Sequence, residues 1–162
     1  RLHPVDQEVW KVISHFYDVI IQTVSRLLIP FIQVYGLYVI AHGHSSPGGG
    51  FQGGVILGAS FILLCLSHDI KEMKKRLSRR AVLLLCSLGV IIYSGIGFAC
   101  LFLGGKYLDY GKLHQILPVD TVGARSMGIF GIEVGVGITV MAVMVSIFLD
   151  LSSEEKEKEN PE

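Results

Sequence analysis

The chain has 162 residues, 51% of them hydrophobic and only 17% charged, and its acidic and basic residues balance to a net charge of zero. A soluble domain carries roughly a quarter charged residues, and a mean hydropathy of +0.54 points the same way, so the composition excludes an ordinary soluble globular protein. Charge balance also removes nucleic acid and other polyanions as partners.

Residues 4–20 read as an amphipathic helix. Val5, Val9, Ile13, Phe16 and Ile20 recur at helical spacing, while Asp6, Glu8, Lys11 and Asp18 lie mostly elsewhere. Pro4 suits a first helical turn, and Trp10 and Tyr17 suit the water–lipid boundary. The segment either lies on the membrane surface or extends the first span into the cytoplasm. No cleavable signal pattern stands at this end.

Four apolar stretches follow, each near the roughly 20 residues needed to cross the hydrocarbon core. The first covers about residues 23–41 and carries Arg26, Pro30 and Gln33. The second covers about residues 53–68, and the third about residues 81–103, with no charge in it. The fourth covers about residues 126–149, and its one charge is Glu133. A soluble bundle would need a polar face on each helix, and the second and third have none. The expected fold is all-α, a polytopic membrane protein with four transmembrane helices plus an N-terminal amphipathic helix. Residues 1–150 form one membrane domain, and residues 151–162 form a charged tail, either a solvated helix end or disordered.

The connection after the second stretch holds Lys71, Lys74, Lys75, Arg76, Arg79 and Arg80, whereas the first connection, residues 42–52, holds no Lys or Arg. The positive-inside rule puts the basic connection in the cytoplasm. An even number of spans then puts both termini there. The expected location is the cell membrane.

The first connection is the most unusual stretch. It runs Gly43-His44-Ser45-Ser46-Pro47-Gly48-Gly49-Gly50-Phe51-Gln52-Gly53-Gly54. From Leu27 to Ser67 there is no formal charge with neutral histidines, so this glycine-rich break lies at or just inside the membrane surface. Irregular backbone survives at that depth only under protein cover or beside a wet cavity. The run lacks the Lys-Ser/Thr ending and the preceding strand of a phosphate-binding loop. His42 and His44 have no partner ligands in the sequence, so they read as capping residues for the first helix rather than a metal site.

Small residues recur four apart. Gly50, Gly54 and Gly58 open the second helix, and Gly131 and Gly135 bracket Glu133 in the fourth. Such faces let helices approach closely where lipid supplies no hydrophobic drive. They leave open whether the partner helix belongs to this chain or another. Glu133 itself must be protonated, paired or wet, because an ionised carboxylate inside the bilayer is costly. It is either a titrating or cation-binding group or a protonated side chain bonded to a neighbouring helix. Asp120 and Arg125 read as a surface pair at the start of the fourth helix.

Cys65, Cys86 and Cys100 sit in apolar runs without metal-ligand or disulfide spacing. No spacing links the His, Ser and acidic residues into a catalytic constellation. The chain therefore reads as a non-catalytic protein with no cofactor and no metal.

The glycine run resembles the signature of the MnhB/MrpB subunits of multisubunit cation/proton antiporters, close to Gly-His-Asn-x-Pro-Gly-Gly-Gly-Phe-x-Gly-Gly. The stretch Gly131-Ile132-Glu133-Val134-Gly135-Val136-Gly137-Ile138-Thr139-Val140 is also similar to that family, and the likeness covers about residues 24–150. Ser45 stands where Asn is usual, and residues 1–20 form a longer extension than the family's. The resemblance implies a subunit without redox centres that assembles with other membrane subunits, either in a sodium/proton antiporter or in a membrane-bound hydrogenase-type respiratory complex. It implies that Glu133 helps line a cation or proton path at a subunit interface. His42, His44, Pro47, Gly48, Gly49, Gly50, Gly53, Gly54, Gly131 and Gly135 would shape that interface. The implied partners are other subunits of such a complex, the lipid bilayer, sodium ions and protons. The competing reading is a structural scaffold subunit with no ion contact.

Overall fold

The computed structural model describes residues 4–43, 48–67 and 78–159, with side chains from residue 19 to residue 152 within those ranges. The chain order is α1 (Pro4–Ala41), α2 (Gly50–Ser67), α3 (Arg79–Phe102), a short 3-10 helix (Tyr110–Gln115) and α4 (Thr121–Glu159). No strand occurs among the described residues. Stretches long and apolar enough to cross a membrane are Val19–Ala41, Gly50–Ser67, Arg79–Phe102 and Thr121–Ser152. The shortest, 18 residues, is about 27 Å long at 1.5 Å per residue, close to the thickness of the hydrocarbon core.

One helix end decides between two sequence readings, and two differ from the sequence expectation. Of the two readings of the amphipathic segment, the structure takes the extension of the first span, because α1 continues through it from Pro4 without a break. Nothing in the sequence near residue 20 breaks a helix, and Pro30 is carried inside α1. The second helix starts within the glycine run, at Gly50. The expected Asp120–Arg125 pair does not form. Asp120 instead accepts a hydrogen bond from the Gly123 N–H at 3.0 Å, capping the otherwise unbonded first turn of α4. Arg125 lies over Gly111, with Nε 3.2 Å from where a Gly111 Cβ would stand. Ser78 caps α3 in the same way, accepting from the Ala81 N–H at 3.2 Å. The charged tail continues as helix to Glu159.

Backbone proximity at glycine sets the packing. α1 runs antiparallel to α2: Gly36 faces Leu57 and Ile56, and Gly53 faces Ile40. α2 runs parallel to α4: Gly54 faces Gly137 and Val140, and Gly58 faces Met144 and Met141. α3 runs antiparallel to α4, with Gly89 against Gly135 and Thr139 and with Gly131 against Ile96. Val82, Ala142 and Val145 fill the other end of that pair. The main contacts therefore give the spatial order α1–α2–α4–α3. The small-residue faces thus find partners within this chain. Gly95 of α3, by contrast, has a Cβ position that meets nothing within 4 Å.

The segment between α3 and α4 is a packed cap. Leu113 joins Cys100 and Ala124 in a buried cluster, and Tyr110 packs so close to α4 that a Gly128 Cβ would stand 2.7 Å from its ring. Burial pushes the Tyr110 phenol above its ordinary range, helped by neighbouring Tyr93, Cys100 and Tyr107. Outward faces are apolar and open: Phe31 is 68% exposed, Leu84 70% and Phe102 88%. Only lipid or other protein covers so much apolar surface without cost. At the far end, Arg79 and Asp150 form an exposed ion pair at 3.6 Å.

Candidate ion-handling site at the glycine hairpin

The turn after α1 is built by backbone. His42 N–H donates to the Tyr38 carbonyl at 3.0 Å and Gly43 N–H to that of Ile40 at 3.3 Å. The His42 ring stacks on Tyr38, centroids 4.1 Å apart, with Nδ1 3.2 Å from the same Tyr38 oxygen. The chain returns through Gly49, whose φ of +106° lies where L side chains are strained. The Gly49 carbonyl then accepts from the Gly53 N–H at 3.0 Å and starts α2.

Glu133 meets this hairpin. It lies 12 residues (133 − 121) after the first residue of α4, about 18 Å along the helix. The residue is half-buried, and its Oε2 is buried. A Cβ on Gly43 would stand 2.5 Å from Oε2 and 2.6 Å from Cδ. A Cβ on Gly49 would stand 3.3 Å from Oε1 and 3.6 Å from Cδ. A Cβ on Gly50 would overlap the Glu133 carbonyl. Three glycines from the two ends of the hairpin thus leave the space that one glutamate fills. The carboxylate lies beside the first turn of α2, whose free N–H groups carry the positive end of the helix dipole.

The residues singled out in the sequence separate into groups. Gly49 and Gly50 stand at Glu133. Gly53 packs on Ile40 of α1 and Gly54 on Gly137 of α4, so both join helices without touching the carboxylate. Gly48 rests 3.3 Å from Val39 by its Cβ position. Gly131 and Gly135 face α3, not the hairpin, at Ile96 and at the Gly89 carbonyl. His42 is exposed on Tyr38. His44 and Pro47 lie outside the described residues, as do Ser45, Ser46 and the basic residues Lys71, Lys74, Lys75 and Arg76. Among the described residues no three His, Cys, Asp or Glu side chains gather as a metal site. Gly43 is the contact that sequence reasoning missed as a site residue. Its signal was membership of the same glycine run.

Residues 20–146 match the family described as a domain related to the MnhB subunit of the Na+/H+ antiporter. The chain belongs to the MnhB family. It is 31% identical over 136 residues to a protein of Staphylococcus aureus strain Newman described as antiporter subunit mnhB2, covering 83% of this chain and 94% of that one. The same figures hold for the mnhB2 proteins of strains JH1 and Mu3. As an MnhB protein with four apolar helices, the chain is a multi-pass membrane subunit of an Mnh antiporter, a transporter component and not itself an enzyme. Its partners are other Mnh membrane subunits.

Proposed function

We propose that Glu133 handles the ions this MnhB subunit's antiporter exchanges, its carboxylate taking up sodium or a proton in alternation at the α1–α2 hairpin. The observation that carries this reading is the seating of an in-membrane carboxylate against Gly43 and Gly49. A carboxylate at that depth is costly and is kept where a path needs it. Binding a cation favours the ionised form, and losing it favours the proton. The dipole end of α2 lowers the cost of the bare anion between the two states.

Depth supports a role near one face. Glu133 is 17 residues (150 − 133) from Asp150, which pairs with Arg79 at the opposite end. That separation is about 26 Å along α4, so the carboxylate lies close to the hairpin-side boundary of a roughly 30 Å core. The basic second connection supports a hairpin on the extracytoplasmic side with both termini in the cytoplasm. Glu133 then serves the outer mouth of the path, completed by the neighbouring subunits. The antiporter descriptions of the relatives favour a stand-alone antiporter over a hydrogenase-type complex as the setting.

Replacing Glu133 by Gln in the intact complex tests the reading. Sodium-dependent proton movement in membrane vesicles is lost while the other subunits still copurify. Full transport by an assembled Glu133→Gln complex would leave the scaffold role in its place.

A further inference from the structure

The hairpin glycines divide by what surrounds them. At Gly53, Gly54 and Gly58 an added Cβ meets other helices: Ile40 and Gly36, Gly137 and Val140, Met144 and Met141. At Gly49 the three nearest atoms are Oε1, Cδ and Cγ of Glu133, at 3.3, 3.6 and 3.9 Å. At Gly43 two of the three belong to the Glu133 carboxyl, and the third is the Gly49 Cα. The backbones of residues 43 and 49 therefore touch each other and share the carboxyl between them. Glu133 comes from α4, more than eighty positions further along the chain (133 − 49 = 84).

We infer that Gly43 and Gly49 are positioning residues for the Glu133 carboxyl, forming a socket whose depth is matched to glutamate. The inference deepens the ion-handling reading and rests on it only for its transport arm. The socket acts on the carboxyl by excluding volume. Anything larger than hydrogen at position 49 displaces Oε1, and a shorter acid at position 133 fails to reach the floor. Aspartate is one C–C bond shorter, about 1.5 Å, several times the few tenths of an ångström by which a Gly49 Cβ at 3.3 Å crowds Oε1. An alanine at 49 and an aspartate at 133 should therefore compensate sterically. Gly43 is unsuited to the test, because its Cβ would also strike the Gly49 backbone. At Gly49 the φ of +106° adds backbone strain that enters the single and the double variant alike and cancels in the cycle.

The test is a double-mutant cycle of Gly49→Ala and Glu133→Asp in the purified, reconstituted antiporter complex. Gly58→Ala with Glu133→Asp is the control, since Gly58 touches Met144 and Met141 and not Glu133. Three quantities are read: the sodium concentration for half-maximal exchange, the thermal midpoint of the complex, and the infrared carboxyl band that Glu133→Gln removes. Gly49→Ala is expected to raise the half-maximal sodium concentration and shift the band. The double variant should outperform the product of the single effects by about fivefold or more, the coupling typical of side chains in contact. The control pair should multiply to within about twofold, as independent sites do. Multiplicative behaviour at 49/133 together with an unmoved band in Gly49→Ala would overturn the socket. Should Glu133→Gln transport like the parent, the ion-handling reading falls alone. The thermal coupling and the band then decide the socket by themselves, and absence of both would overturn it.

Discussion

Two glycines one turn apart on α2 should respond very differently to the same added methyl. At Gly54 a Cβ would stand 2.7 Å from the Gly137 carbonyl oxygen, 2.9 Å from Val140 Cβ and 3.0 Å from Gly137 Cα. Carbon needs roughly 3.5 Å from carbon, so two of these contacts overlap by about half an ångström, and one is with backbone that cannot rotate away. α2 must then move off α4, and Gly50, which rests on the Glu133 carbonyl, moves with it. Overpacking of this kind costs about 1–3 kcal/mol. At Gly58 the nearest atoms are Met144 Cβ and Sδ at 3.2 Å, and a methionine side chain adapts. There the methyl removes a glycine from a helix interior, worth about 0.5–1 kcal/mol in favour of alanine, which offsets the mild crowding. Thermal unfolding of the complex, followed by the loss of copurifying subunits, measures both. Gly54→Ala should lower the midpoint by several degrees, given about 2–4 °C per kcal/mol for chains of this size. Gly58→Ala should leave it within about 2 °C of the parent. Equal losses at the two positions would refute the parallel α2–α4 register from which the contrast is drawn.

Further outcomes follow from the helix ends and the cap. Asp120→Ala removes the acceptor for Gly123 N–H and should destabilise the start of α4 by about 1 kcal/mol, seen as faster amide exchange in residues 121–124. Asp150→Asn breaks the exposed pair with Arg79 and should change the thermal midpoint by under about 1 kcal/mol equivalent, with the difference vanishing in high salt. Burial raises the Tyr110 phenol, so the folded state favours its neutral form. The stability it lends is present below the unfolded phenol range and is lost as pH rises through the raised value. Tyr110→Phe should therefore lose less stability than the parent in melts taken at increasingly alkaline pH.

Much of this fold is legible in the sequence because lipid leaves few choices. Charge-free stretches the length of the bilayer must be helices, and all four appear close to where the hydropathy puts them. The stripe of Gly50, Gly54 and Gly58 announces a packed face. Only the structure shows that its partner is α4 of the same chain, running parallel, because spacing on one helix carries no information about the register of another. The same limit hid the contact of Gly43 with Glu133, residues that lie 90 positions apart (133 − 43). Asp120 was misread for a local reason. An acid five residues before an arginine suggests an ion pair, but an acid just ahead of a helix finds unbonded N–H groups closer at hand. The start of α2 inside the glycine run was hidden by glycine's poor helix propensity, which close packing against α1 and α4 overrides here. The amphipathic pattern of residues 4–20 was visible, but periodicity alone does not tell a separate surface helix from an extension of the first span.

Chemical labelling of Glu133 asks whether that carboxyl meets the transported ion. A hydrophobic carbodiimide reacts with protonated carboxyls inside membranes, and a cation bound at the same oxygens keeps the proton off. Mass spectrometry of the labelled intact complex should find Glu133 modified in sodium-free buffer and protected as sodium rises, with potassium ineffective. Glu133 labelled to the same extent at every sodium concentration would contradict an ion-handling role for the carboxylate.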